Sequence, residues 1–212
     1  MTLTIRHATP DDASFLGWVC VSAPCSHLER GWFETVLRRD EAFCLEFAAL
    51  LTIAKARSWW HYSLFLIAEV GGVPAAALCG FGDESVYMAS SDAMAEAADA
   101  MGIPKDEQAQ FWPRGAYIIS PATSEHGAWT IENVATKPEF RGRGILGRLI
   151  EADLSEARAA GFKRAQVSFF MGNEAAERAY TKAGFRFAEE KTAPDFEAIT
   201  GVRGITRFAR DI

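Results

Sequence analysis

The chain has 212 residues, 49% of them hydrophobic and 24% charged, with a formal net charge of −6. That length and balance suit one folded domain with a substantial core and exclude a disordered or fibrous chain. The basic residues are dispersed, so no Lys/Arg stripe marks a nucleic-acid footprint, and the mild acidity leans toward a cationic partner.

In chain order, "LTIRHAT" alternates like a strand, and "PDDASFLGWVC" reads as a helix whose start is marked by Pro10 and two carboxylates. From Leu28 to Trp60 apolar residues recur every three or four positions (Trp32, Phe33, Val36, Leu37, then Phe43, Phe47, Leu50, Leu51), which fits two helices. "SLFLIAEVGGVPAAALCGFG" contains two apolar runs joined by Gly71 and Gly72, the mark of a β-hairpin. The Ala-rich stretch from Ser90 to Phe111 predicts one or two helices broken at "GIP" and ending in a loop at "WPRG"; it has the character of an insertion. "AWTIENVAT" is a strand, a glycine-rich stretch opens a helix that Gly161 stops, and "RAQVSFF" is a strand. "NEAAERAYTKAG" is a helix capped by Asn173 and closed by Gly184, and "FRFAEEK" and "GITRFARD" form a last antiparallel pair. Residues 1–212 are read as a single domain, with helical segments at about 11–60 and 90–111 elaborating the core.

Cys20, Cys25, Cys44 and Cys79 form no CxxC, and no His stands in metal-like spacing. Neither a metal site nor a disulfide framework is expected, only buried thiols in a reducing compartment. The N-terminal stretch lacks an apolar leader, and the longest apolar run, "FAALLTIA", is far short of a membrane span. A cytoplasmic protein without membrane association is expected.

The stretch "FRGRGILGRLIEADLSEARAAG", residues 140–161, carries three overlapping glycine patterns. Read as GxGxxG it would bind a dinucleotide, but that needs its first Gly directly off a strand and a carboxylate at the end of the next one. Here "KPEF" intervenes, and the next strand ends in "VSFFMGN". Read as an NTP loop it needs Lys then Ser or Thr after the second Gly, where Arg148 and Leu149 stand. The third pattern, RxxGxG/A from Arg141, fits a coenzyme A pyrophosphate: small residues let consecutive N–H groups approach it, and a helix N-terminus adds partial positive charge.

"VATKPEFRGRGILGRLI" resembles the acyl-CoA-binding segment of the GNAT acetyltransferase superfamily, and "NEAAERAYTKAGF" resembles that superfamily's NxxAxxxYxKxGF segment at Asn173, Ala176, Tyr180, Lys182, Gly184 and Phe185. Together the two cover roughly Trp129 to Glu190. One position departs, since Leu146 stands where the family prefers Gly or Ala; its backbone N–H still serves if the side chain turns into the core. The resemblance implies a mixed α/β fold: a central, mostly antiparallel sheet with splayed central strands, flanking helices and helical insertions. It implies acetyl-CoA as co-substrate, an amine acceptor and no metal; a homodimer stays open.

On that resemblance Arg141, Gly142, Arg143, Gly144, Ile145, Leu146 and Gly147 cradle the pyrophosphate, with Asn173 beside the cofactor. The backbone N–H groups of Val134, Ala135 and Thr136 hold the thioester carbonyl. Tyr180 is the candidate acid for the leaving thiolate, because a phenol with a reference pKa of about 10 matches its basicity. Glu132, on a parity shared with Val134 and Thr130, is the candidate base acting through water, weighed evenly against a structural role; His27 and His126 are loop alternatives. Trp18, Trp32, Phe33 and Trp59 would line the acceptor side, with Glu29 and Glu34 able to hold an ammonium. The expected function is transfer of an acetyl group to a primary amine of a small molecule by direct attack in a ternary complex. Acetylation of a protein or peptide, or a non-catalytic acyl-CoA sensor, are the alternatives.

Overall fold

The computed structural model describes residues 2–212. The first strand is β1 (Leu3–His7), and a 3-10 turn at Pro10–Asp12 precedes α1 (Ala13–Cys25). Arg6 grips Asp12 with two hydrogen bonds of 2.8 Å, and Asp12 also accepts from the Thr9 amide. The acidic residues after Pro10 thus tie the strand to the helix start. The two expected helices are α2 (Trp32–Leu37) and α3 (Glu41–Thr52), the second capped by Asp40, which accepts from the Phe43 amide. The hairpin is β2 (Phe65–Val70) and β3 (Val73–Phe81).

The inserted segment that follows is longer than the sequence suggests: α4 (Ser85–Met88), α5 (Ser90–Ala100), α6 (Lys105–Gln108) and α7 (Phe111–Gly115). "WPRG" is therefore helical and not a loop. Pro113 is third in α7, within the first turn, where its missing N–H would have had no partner anyway. Tertiary contacts fix the turn, as Arg114 donates to the Val36 carbonyl and the Trp32 indole donates to the Gly115 carbonyl.

The C-terminal half runs β4 (Trp129–Thr136), α8 (Ile145–Ala159), β5 (Arg164–Phe170), α9 (Glu174–Lys182), β6 (Arg186–Thr192), α10 (Pro194–Thr200) and β7 (Gly204–Asp211). The sequence reading missed α10. All seven strands form one sheet in the order β1-β2-β3-β4-β5-β7-β6. Neighbours pair antiparallel except β4 and β5, which are parallel. Their ladder covers only Trp129–Ile131 against Ala165–Val167, so the strands part before they end. The expected mixed sheet with splayed central strands is the fold observed.

Residues alternate between two cores because successive strand side chains point to opposite faces. Phe65 and Ile67 pack with Leu16, Val19, Phe33 and Phe47 on the α1 side. Leu78, Ile131 and Val167 pack with Leu149, Ile150, Leu154 and Phe185 on the α8 side. Each such fully buried side chain contributes roughly 1.5–3 kcal/mol relative to exposure. All four cysteines are free; Cys20, Cys44 and Cys79 are buried and Cys25 half-buried. Among the described residues no helix is long and apolar enough to cross a membrane.

Candidate active site

The gap between β4 and β5 is shaped by a bulge. Asn133 adopts φ 48°, a left-handed conformation that Asn tolerates better than most residues. Across it Ala77 pairs with Ala135 while Cys79 pairs with Glu132, so β4 spends one residue more than β3. The extra residue reverses the alternation: Ile131 and Val134 both pack on the α8 side, and Ala135 packs on the α1 side. The parity expected for Glu132 therefore holds with Thr130 but fails with Val134. Glu132 faces the α1 side, away from the face that Val134 joins.

Glu132 is half-buried, and the Tyr87 hydroxyl donates to its Oε1 over a long 3.5 Å. Burial pushes its carboxyl up to about 7, with the Tyr87 hydrogen bond pulling modestly the other way. A carboxyl poised there exchanges protons at neutral pH, which suits a general base.

Beyond Ile131, among the described residues, no strand adjoins the β5-facing edge of Val134, Ala135 and Thr136. The chain then turns through Pro138–Phe140 into the glycine-rich stretch. Gly142 and Gly144 have φ 74° and 73°, which L side chains rarely adopt. A methyl group at Gly142, Gly144 or Gly147 would meet no atom within 4 Å, so the backbone there lies open. The loop is held from behind: Arg141 donates to the Thr136 carbonyl at 3.0 Å, and Arg143 donates to the Glu139 carbonyl at 2.8 Å and stacks on Phe140. Ile145 is buried, and Leu146 is half-buried against the α8-side core, its main chain left at the rim. An open, glycine-rich start to a helix of 15 residues fits a diphosphate.

Tyr180, on α9, is 6% exposed between Phe169 and Phe185, with ring centroids 5.8 and 6.3 Å away. Burial, and secondarily the charge of Glu132, holds its phenol above the ordinary range, so it stays protonated at neutral pH. Asn173 caps α9 by accepting from the Ala176 amide at 3.0 Å, and its Nδ2 donates to Ser26 Oγ at 2.7 Å, tying α9 to the end of α1.

The aromatic residues expected on the acceptor side separate. Trp32 and Phe33 are 7% and 1% exposed and belong to the core. Trp18 is half-buried and stacks on Phe15. Only Trp59 of the four packs on Tyr87, with ring centroids 5.6 Å apart. Its carbonyl accepts from Cys79 Sγ and from Asn133 Nδ2, which pins it over β3 and β4. Glu34 accepts from the Gly31 amide and so caps α2, and Glu29 is exposed. His27 and His126 are exposed, beside Ser26 and Glu84 respectively. Tyr87 went unnoticed in the sequence, because a four-residue helix carries no periodic signal.

The sequence profile of the acetyltransferase (GNAT) family matches residues 35–185. This chain belongs to the GNAT acetyltransferase family. The GNAT chain is thus an acyltransferase, on a fold shared with solved structures of low sequence identity. One is an N-acetyltransferase from Staphylococcus aureus Mu50, 18% identical, with TM-score 0.71, covering 98% of this chain and 100% of that one. A second is a Drosophila melanogaster polyamine N-acetyltransferase that forms N-acetylagmatine, 14% identical, with TM-score 0.55, covering 100% of both chains. A third is a putative acetyltransferase from Salmonella typhimurium with its cofactor acetyl-CoA, 14% identical, with TM-score 0.51, covering 100% of this chain and 94% of that one. No curated protein sequence matches the chain.

Proposed function

We propose that this GNAT enzyme transfers the acetyl group of acetyl-CoA to a primary amine of a small molecule by direct attack in a ternary complex. The observation that carries this reading is the open, glycine-rich start of α8 beside the edge of β4 that β5 leaves uncovered where the two strands part. The open backbone from Arg141 to Gly147 receives the pyrophosphate. The unpaired edge at Val134, Ala135 and Thr136 donates to the thioester carbonyl, and Asn173 keeps α9 and Tyr180 in place. Glu132 takes the amine proton through water as the N–C bond forms. The C–S bond then breaks, and Tyr180 gives its proton to the departing sulfur. A small acceptor is favoured by the likeness in fold to the polyamine enzyme.

CoA and acetyl-CoA should raise the melting temperature while NAD does not. Gly147→Glu should abolish that shift; Gly147 lies in α8 without positive φ, so the substitution adds bulk and negative charge to the cradle without backbone strain. Tyr180→Phe should retain acetyl-CoA affinity and lower turnover about a hundredfold. Unchanged turnover would remove Tyr180 from the mechanism. Cofactor binding without thiol release against any amine would favour a sensor.

A further inference from the structure

We propose that Tyr87, carried by the inserted segment, is the positioning residue of Glu132 and, with Trp59, the wall that selects a cationic amine on an apolar stem. The inference rests on the acetyl-transfer reading above and adds to it the acceptor class and a residue outside the two motifs that mark the family.

Local sequence brings Tyr87 there. Directly after β3, Asp83 accepts from the Ser85 amide at 2.9 Å and turns the chain into α4, which returns over the sheet toward β4. The ring is held on two sides, by Phe81 (centroids 5.3 Å, edge-on) and Trp59 (5.6 Å, tilted). It is nevertheless 38% exposed, so a further side opens to solvent. Its hydroxyl makes the one side-chain hydrogen bond that Glu132 has among the described residues.

The groups facing Glu132 explain why that single bond matters. From β3 comes the Cys79 thiol, pushed well above its ordinary range by burial, with Cys20 of α1 behind it. From α4 comes the Tyr87 phenol with Glu84 beyond, while the Tyr180 phenol of α9 acts on the carboxylate from the α8-side core. Arg57, exposed and donating to Ser63 Oγ, brings a cation within range of Cys79 but makes no bond to Glu132, so the ionised carboxylate depends on the Tyr87 hydroxyl for orientation and for its share of solvation. A protonated amine entering beside Trp59 and Tyr87 would meet two aromatic faces and the carboxylate at once, a combination that attracts an ammonium and accommodates apolar carbon next to it.

The test compares Tyr87→Phe and Tyr87→Ala with wild type. Tyr87→Phe keeps the ring and the fold; the acid limb of its kcat/KM profile for the acceptor should move up by about one pH unit. Its KM for acetyl-CoA should not change. Tyr87→Ala should raise the acceptor KM roughly tenfold, again sparing acetyl-CoA. An acid limb left in place, or equal changes in both KM values, would overturn the proposal. An infrared titration of the carboxyl band that disappears in Glu132→Gln needs no acceptor, and in Tyr87→Phe that band should titrate at higher pH. This shift decides the positioning role by itself, whereas wild-type inactivity toward every amine would count against acetyl transfer alone.

Discussion

Glu132 and Asp153 lie on opposite faces of the same sheet, and burial pushes the carboxyl of each up to about 7. Their surroundings differ. Asp153, on α8, is 2% exposed, accepts from the Trp129 indole at 2.8 Å, and is pressed so closely onto β3 that a methyl group at Gly80 would come within 1.8 Å of its Oδ1. Just past the end of β3, Gly82 makes the same kind of room for the Phe162 ring. Glu132 is half-buried, has one long hydrogen bond, and borders the gap where two strands part. A raised carboxyl is therefore no mark of a site in itself. What separates the two is access to a reacting group, and Asp153 is sealed behind the indole.

The sharpest way to break this comparison is to neutralise each carboxyl in turn. Glu132→Gln should lower turnover about 10²- to 10⁴-fold and remove the acid limb of the rate profile, while Asp153→Asn should leave turnover at neutral pH within a few-fold of wild type. Steady-state kinetics on both variants decide it, and a large loss in Asp153→Asn would show that the two faces are coupled.

A second effect separates them by stability. Asp153 has a folded-state pKa above its ordinary value, so folding favours its protonated form. Its contribution is complete below the ordinary carboxylate range and is lost as pH rises to about 7. Urea unfolding between pH 4 and 8 should show stability falling across that window by up to about 1.4 kcal/mol per pH unit. Asp153→Asn should flatten the slope. Glu132 has the same sign, but its partial exposure makes its share smaller.

The smallest of the three effects lies in the packing. Gly80→Ala should destabilise the fold by about 1–3 kcal/mol, because its methyl group needs the space that the Asp153 carboxylate occupies. For a chain of this size each kcal/mol lowers the melting temperature by about 2–4 °C. The acid limb of the rate profile, set on the other face, should stay where it is.

The stretch proposed as the cofactor cradle was legible in sequence as a glycine-rich helix start, and the surroundings proposed for the acceptor largely were not. The cradle depends on glycines and on a helix start, both of which punctuate a sequence visibly. Asn173, Tyr180 and Gly184 likewise fall where a helix of that length puts them. The acceptor side depends on where side chains meet across distant elements. Trp32 and Trp59 look alike in a stripe of aromatics, yet one is sealed against Gly115 and the other packs on Tyr87. The direction of Glu132 relative to Val134 was misread because a strict period of two cannot register the left-handed residue at Asn133. The helix through "WPRG" was missed because Pro113 reads as a breaker until its place in the first turn is known.

The bulge at Asn133 has a consequence for how this strand can vary. Upstream of the extra residue, β4 sends a carboxylate toward the α1 side; downstream, it presents an unpaired main-chain edge to the gap. What keeps these two roles in phase is a count of residues rather than any one side chain. Residues 129–136 should therefore accept exchanges of type more readily than changes of length. Removing a single residue would restore the regular pleat and leave every side chain on one arm of the strand facing the wrong compartment.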